Sequence, residues 1–148
     1  AFVWVPKGRP VSEAGVIVLL HGRGSPEEPL SHASLLERYP YVNALQSAAD
    51  ASGNLLCIPL LGSYAHLDSP VRPEIQRATF IGKELPVFLV EQFGVERPRL
   101  RWALAGFSMG GTAAVNLLGR YPDTYAIASN FGGNCGPAFY PEVLKRPP

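Results

Sequence analysis

The sequence has few cysteines and no long apolar segment, and each shortage excludes a class of protein. Its two cysteines, Cys57 and Cys135, have no second Cys or His at the short spacing of zinc sites, so we expect no metal. The longest apolar run, Val16 to Leu20, is far shorter than the ~20 residues that cross a bilayer. No basic segment followed by an apolar one opens the chain. We therefore expect a soluble protein without a membrane span, either cytoplasmic or secreted after removal of a signal.

The chain also lacks an excess of charge of either sign. Thirteen basic and twelve acidic residues give a net charge of +1, with no basic cluster. This balance argues against nucleic acid or an anionic membrane as the main partner. We expect a small or weakly charged ligand, and no cofactor.

What the sequence does have is a repeated alternation of apolar strand patterns and helical patterns. It predicts the order strand, strand, helix, strand, helix, strand, helix, strand, which is typical of an α/β domain with a mostly parallel sheet and helices on both faces. Pro40 and Pro86 are expected to interrupt or kink the first two helices. The predicted strands are Phe2–Val5, Val16–Leu20, Leu55–Leu61, Leu100–Phe107 and Tyr125–Phe131, and the predicted helices are Ser34–Ala51, Glu74–Phe93 and Thr112–Leu118.

One turn in this pattern indicates chemistry. Ser108 lies between the predicted strand that ends at Phe107 and the predicted helix that follows, with Gly106 and Gly110 two residues to either side. A sharp strand-to-helix turn at a serine is a nucleophile elbow, and its tight packing leaves no room for side chains at the flanking positions. An ordinary Gly/Ser turn without catalysis is the alternative. The placement favours a serine nucleophile.

The residue missing from this pattern is a histidine after the serine. The three histidines, His21, His32 and His66, all precede Ser108, whereas α/β-hydrolases present serine, acid and histidine in that order. His21 follows a predicted central strand and is expected to shape its loop rather than act as the base. His32 is expected to be solvated.

Three segments together resemble a known family. Ile81-Gly82-Lys83-Glu84-Leu85-Pro86, Arg101 to Gly111 around the serine, and Arg120-Tyr121-Pro122-Asp123 are similar to the putative-esterase family of α/β-hydrolases. That family includes the esterase D or S-formylglutathione hydrolase type, antigen 85 mycolyltransferases, feruloyl esterases and siderophore esterases. The resemblance implies an α/β-hydrolase fold over residues 1–148.

The resemblance also implies roles for individual residues. Ser108 matches the nucleophile, while the backbone N–H groups of Met109 and Arg23 match the two donors of the oxyanion hole. Four further residues lie at strand ends or loops on the same edge of the predicted sheet and are candidates for contact with substrate; they are Gly22, Tyr64, His66 and Phe107.

The chain departs from the family pattern at its ends. The family begins with a further strand and continues past the last strand with an Asp or Glu and then the catalytic histidine, but the segment from Gly132 to Pro148 is too short for two more strand-helix units. We therefore expect a fragment, or one polypeptide of a split enzyme. A second polypeptide or self-association should cover the edge after the last strand. In the usual strand order Cys57 and Cys135 also lie too far apart to pair.

These observations predict a serine carboxylic-ester hydrolase that forms an acyl-enzyme at Ser108, and that is weakly active or inactive as this chain alone. One alternative is acyl transfer to an alcohol, as in the antigen 85 branch, which would use the same site. The other is a binding module that keeps the hydrolase fold without the base.

Overall fold

The fold is built on a five-stranded sheet, seen in a computed structural model that describes residues 1–23, 41–62, 66–96 and 102–134. The strand order is β1-β3-β2-β4-β5. Only β1 runs antiparallel, against β3, and the remaining pairs are parallel. The strands are β1 Phe2–Trp4, β2 Val16–Leu20, β3 Leu55–Ile58, β4 Trp102–Phe107 and β5 Ile127–Phe131. This topology confirms the predicted α/β-hydrolase-like fold.

Helices connect the parallel strands, as predicted, although their bounds differ. Helix α1, Tyr41–Ser52, precedes β3, and the predicted residues 34–40 ahead of it lie outside the described ranges. A helical segment then runs from Arg77, with α2 at Leu85–Phe93. Helix α3, Met109–Arg120, follows β4 and extends the predicted helix by a turn at its start.

The two faces of the sheet bury separate apolar clusters. One face packs against α2 and α3 through buried side chains such as Val18, Leu104 and Leu117. On the other face, Leu19, Leu56 and Ile58 pack with Ala49 of α1. Alternate residues of a strand point to opposite faces, so strands β1 to β4 contribute to both clusters. Helices therefore cover both faces, as the continuous apolar strands predicted.

The helix break predicted at Pro86 takes the form of a π turn. The segment Phe80–Glu84 is π-helical, and the N–H of Leu85 donates to the carbonyl of Phe80, five residues earlier. Pro86 has no N–H, so the carbonyl of Ile81 cannot be paired within the helix in the same way. The hydroxyl of Tyr125 donates to that carbonyl at 2.7 Å.

Two strand ends differ from the sequence prediction. Strand β3 stops at Ile58, directly before Pro59, because proline cannot donate a hydrogen bond to the ladder. Strand β5 begins at Ile127 rather than Tyr125. Tyr125 is instead a fully buried core residue whose ring centroid lies 6.4 Å from that of Trp102.

The cysteine in β3 is a buried free thiol. Burial raises the pKa of Cys57 to about 12, so the thiol stays protonated and unreactive at neutral pH. Strand β5 lies three positions away from β3 in the sheet, as predicted. Cys135 lies outside the described residues.

Candidate active site

The turn from β4 into α3 places Ser108 in a strained backbone conformation. Its φ is 52° and its ψ is −117°, and within the described ranges it is the only non-glycine residue with positive φ. Such a conformation costs on the order of 1–3 kcal/mol and persists only where its surroundings enforce it. The serine therefore lies at a sharp turn at the carboxyl edge of a parallel strand, as predicted.

Two backbone hydrogen bonds hold this turn. The N–H of Ser108 donates to the carbonyl of Phe131 at the end of β5 (2.8 Å), and the N–H of Thr112 donates to the carbonyl of Ser108 (3.1 Å). The turn is thus tied both to the neighbouring strand and to the helix that it begins. Ser108 is half-buried.

The flanking glycines are required by packing. A Cβ at Gly106 would collide with the backbone of Gly110 and Gly111, and a Cβ at Gly110 would collide with the carbonyls of Leu20 and His21. Neither position can hold a side chain without moving backbone. This close approach also presses the first turn of α3 against the end of β2.

A second brace, formed by Asn130, was not predicted from the sequence. Its side-chain Oδ1 accepts a hydrogen bond from the N–H of Gly133 (2.7 Å), and its Nδ2 donates to the carbonyl of Gly133 (3.1 Å). The Asn130 side chain lies against Gly111, and Gly133 lies against the carbonyl of Ser108. The signal available in the sequence was an Asn followed by two glycines, a combination typical of a tight turn.

The two oxyanion-hole candidates lie on either side of the contact between Gly110 and the end of β2. Met109 is the first residue of α3, so no carbonyl one turn earlier in the helix accepts its N–H. Arg23 is exposed, follows buried Gly22 and lies three residues after the end of β2. Since Gly110 lies against the carbonyls of Leu20 and His21, the loop that carries Arg23 starts beside the N-terminus of α3.

Two buried histidines lie at the end of β2. His21 and His66 are 2% and 0% exposed, and their ring centroids are 4.7 Å apart in an edge-to-face arrangement. His66 Nε2 donates to the carbonyl of His21 at 3.0 Å. The Nδ1 of His21 lies 2.7 Å from the carbonyl of Gly22, and its Nε2 accepts from the N–H of Leu61 at 3.4 Å.

Both rings are neutral in this environment. Burial lowers the pKa of His21, and it lowers the pKa of His66 to about 4, with the neighbouring His21 as the next contribution. Within the described ranges neither ring is hydrogen-bonded to Ser108. The sequence made His66 a candidate for contact with substrate, and the structure places this side chain in a fully buried position beside His21.

The remaining candidates are partly described. Phe107 ends β4 and pairs in register with Phe131 of β5; these side chains are 45% and 56% exposed, so they form an apolar surface next to Ser108. Tyr64 and His32 lie outside the described residues.

The acidic residue nearest to His66 in sequence is already engaged. Asp68 accepts hydrogen bonds from the N–H and hydroxyl of Thr79, and from Arg120 at 2.8 Å. These donors, together with the Arg120 charge, outweigh desolvation and lower the pKa of Asp68. Asp68 therefore ties the loop after β3 to α3 and to the helix that begins at Arg77.

The described residues contain neither a metal-binding cluster nor a membrane-spanning helix. Over 1–23, 41–62, 66–96 and 102–134, no three His, Cys, Asp or Glu side chains lie close enough together to bind a metal ion. No helix in those ranges combines the length and apolar character that a membrane crossing needs.

Solved structures share this fold. An S-formylglutathione hydrolase from Agrobacterium tumefaciens superposes with a TM-score of 0.71 at 20% identity, over 92% of this chain and 53% of the other. The fluorophosphonate-binding serine hydrolase F of Staphylococcus aureus superposes with a TM-score of 0.70 at 18% identity, over 88% of this chain and 49% of the other. This chain thus spans about half the length of each.

Sequence comparisons agree. An uncharacterized protein of Corynebacterium glutamicum is 22% identical to this chain. The match covers 90% of this chain and 32% of the relative. Residues 64–144, more than half of the chain, match the putative esterase family. That stretch contains the strained Ser108 turn and both elements that form it. With this match, the chain belongs to the putative esterase family.

Proposed function

We propose that this chain carries the nucleophile of a serine carboxylic-ester hydrolase, with Ser108 as the catalytic residue. The observation that supports this most strongly is the positive φ of Ser108 at a turn between a parallel strand and a helix. The glycines on both sides allow the close backbone packing that holds this turn. Strain of this kind is typical of a nucleophile elbow. Membership of an esterase family agrees with this chemistry.

In the proposed reaction Ser108 Oγ attacks the ester carbonyl carbon while its proton passes to a general base. The carbonyl oxygen becomes an oxyanion, which the N–H groups of Met109 and Arg23 stabilise. The C–O bond to the alcohol then breaks, and the alcohol leaves with the proton. Water adds to the resulting acyl-enzyme, releasing the carboxylic acid and restoring the Ser108 hydroxyl. The exposed apolar pair Phe107 and Phe131 would contact the acyl group.

The base in this proposal is a histidine outside this chain, as the family resemblance implies. Neither described histidine is placed to replace it, because neither ring is hydrogen-bonded to Ser108. Burial also lowers the pKa of both rings, which makes them weak bases. The described carboxylate nearest to His66 in sequence, Asp68, is held by Thr79 and Arg120.

Two alternatives use the same observations. Acyl transfer to an alcohol requires the same nucleophile and oxyanion hole and differs only in the acceptor. A binding module with a hydrolase fold is favoured by one specific observation, namely that neither described histidine is bonded to Ser108.

Covalent labelling with a fluorophosphonate distinguishes a chain with a reactive serine from a binding module. Ser108 Oγ displaces fluoride from phosphorus, so the wild-type chain should gain one adduct by intact mass, on the peptide that contains Ser108. The Ser108→Ala variant should gain none. Labelling of the wild-type chain no faster than of Ser108→Ala would favour the binding module.

The acceptor is tested with a p-nitrophenyl ester, alone and with an added alcohol. A weak, Ser108-dependent release of p-nitrophenol is expected, because a site without its base retains about 10³ to 10⁴-fold catalysis over water. A transferred ester product that replaces the free acid would identify the acyltransferase. Full turnover by the purified chain would contradict a base supplied from outside.

A further inference from the structure

The contact between His66 and His21 has no part in the proposed reaction, although it lies next to the proposed site. His66 is fully buried, and its Nε2–H donates to the main-chain carbonyl of His21. That carbonyl is the last one before the segment Gly22–Arg23, and the N–H group of Arg23 is one of the two oxyanion donors in the proposed reaction. His66 therefore contacts the oxyanion loop from a different element of the fold.

The His21 carbonyl is held from two directions. His66 bonds to it at 3.0 Å, and the α-carbon of Gly110 in the first turn of α3 lies against it. A peptide plane fixed in this way also fixes the N–H group of Gly22, because the peptide unit is planar. The next peptide, which carries the N–H of Arg23, is held through the Gly22 carbonyl, 2.7 Å from His21 Nδ1. The carbonyl thus links His66 to the direction of the loop's amides.

Holding a polar ring in this place has a cost. With Nε2 donating to a carbonyl, Nδ1 is a bare acceptor, and within the described residues this atom is buried without a hydrogen-bond partner. An unsatisfied buried polar atom costs about 1–3 kcal/mol, which an apolar side chain would avoid. A side chain that only filled space would not need Nε2, so the hydrogen bond to His21 accounts for the imidazole.

We propose that His66 is a positioning residue: by hydrogen bonding to the His21 carbonyl it fixes the peptide that leads into Gly22, and so it places the backbone N–H of Arg23, the proposed oxyanion donor of the loop. This inference rests on the proposed function, and it adds a residue that does not touch substrate. Its effect should fall on the rate of covalent reaction at Ser108, since misdirected donors stabilise the developing oxyanion less.

The test measures the rate of fluorophosphonate labelling of Ser108 in the full chain carrying His66→Gln, His66→Asn or His66→Leu. Glutamine can place an amide N–H where Nε2 stands, whereas asparagine is too short to reach and leucine has no donor. We expect His66→Gln to react within about threefold of wild type, and the other two about tenfold or more slowly. Tyr125→Phe, which loses a buried hydrogen bond to Ile81 on another face of the core, should react at the wild-type rate.

A second readout is amide hydrogen exchange in the segment His21–Arg23, where exchange should be faster in His66→Asn and His66→Leu than in His66→Gln. Equal labelling rates in all three His66 variants and wild type would overturn the inference alone. So would a His66→Gln variant as slow as His66→Leu. A wild-type chain that does not label at Ser108 would overturn the proposed function, and this inference with it. If His66→Leu does not fold, the difference in labelling rate between His66→Gln and His66→Asn still tests the inference.

Discussion

At the scale of single residues, the site depends on positions where no side chain can be present. Gly106 and Gly110 allow the strand, the turn and the helix to approach one another, and the hydrogen bond from Ser108 to Phe131 then holds the strained conformation. The nucleophile is positioned by close backbone packing, so its environment should be sensitive to a single methyl group.

The change Gly106→Ala tests this sensitivity. Its Cβ would meet the backbone of Gly110 and Gly111, and overpacking of this kind costs about 1–3 kcal/mol or more. We expect lower stability in urea denaturation and loss of fluorophosphonate labelling. Gly119→Ala is the matched control, because no atom lies near its Cβ position and alanine favours a helix by up to about 1 kcal/mol. Equal stability of the two variants would contradict the packing argument.

The buried His66 predicts a pH dependence of stability. Its pKa is lowered from 6.5 to about 4, mainly by burial and further by His21 and Arg77, while its bond to the His21 carbonyl opposes the shift. The unfolded chain binds a proton below pH ~6.5 that the folded chain binds only near pH 4. The contribution of neutral His66 to the free energy of unfolding is therefore fully present above pH ~6.5. It is lost as the pH falls toward 4, and the loss is about 3 kcal/mol.

Urea denaturation at pH 7 and pH 4.5 measures this loss. His66→Gln should lose about 2 kcal/mol less than wild type over that interval, because the glutamine does not titrate. A smaller loss should remain, since the pKa of His21 is also lowered by burial. Identical losses in wild type and His66→Gln would contradict the buried, neutral state of His66.

At the scale of elements, the π turn before Pro86 provides the backbone carbonyls to which the segment after α3 is hydrogen-bonded. The carbonyls of Ile81 and Gly82 accept hydrogen bonds from Tyr125 (2.7 Å) and Thr124 (3.3 Å). The ring of Tyr121 packs on the Cα of Gly82, where a Cβ would collide with it. The end of α3 is thereby docked onto the helix of the neighbouring connection.

The hydroxyl of Tyr125 should contribute measurably to this docking. Tyr125→Phe leaves the buried carbonyl of Ile81 without that donor, and we expect a loss of about 1–3 kcal/mol in urea denaturation. The control is Tyr121→Phe, whose hydroxyl makes no hydrogen bond within the described residues, and it should change stability by less than about 0.5 kcal/mol. Similar effects of the two changes would contradict this role of the hydroxyl.

At the scale of the whole molecule, the sheet of the described residues ends at β5. There β5 pairs only with β4, and its Ile127 side chain is 60% exposed. An exposed edge with apolar side chains favours pairing with another chain. We propose that a second polypeptide or a second copy covers it, in line with a base supplied from outside this chain.

Sedimentation velocity tests this proposal. The chain alone should associate as its concentration rises, and Ile127→Lys should shift it toward monomer, because a charge opposes burial of the edge. Val71→Lys is the control, since Val71 is 67% exposed in a loop away from β5. A wild-type chain that remains monomeric at high concentration, with slow amide exchange along β5, would refute the proposal.

Local patterns in the sequence were enough to predict most of the fold. Continuous apolar runs predicted the parallel strands, and the elbow predicted where Ser108 lies, because strand burial and tight turns depend on residues that are neighbours along the chain. The bounds of β5 and the start of the helix at Arg77 were wrong by two or three residues. There, long-range contacts such as that of Tyr125 with Ile81 outweigh local preference.

The sequence by itself determined the order of strands and helices along the chain and the turn at Ser108, since these follow from spacing along the chain, and its motifs indicated the family. Only the tertiary structure decided that His66 is buried against His21, and that Asn130 braces the turn through Gly133. Residues 45 positions apart come together only when β2 and β3 pair side by side. No local pattern records such a contact, because its energy depends on the packing of the whole sheet.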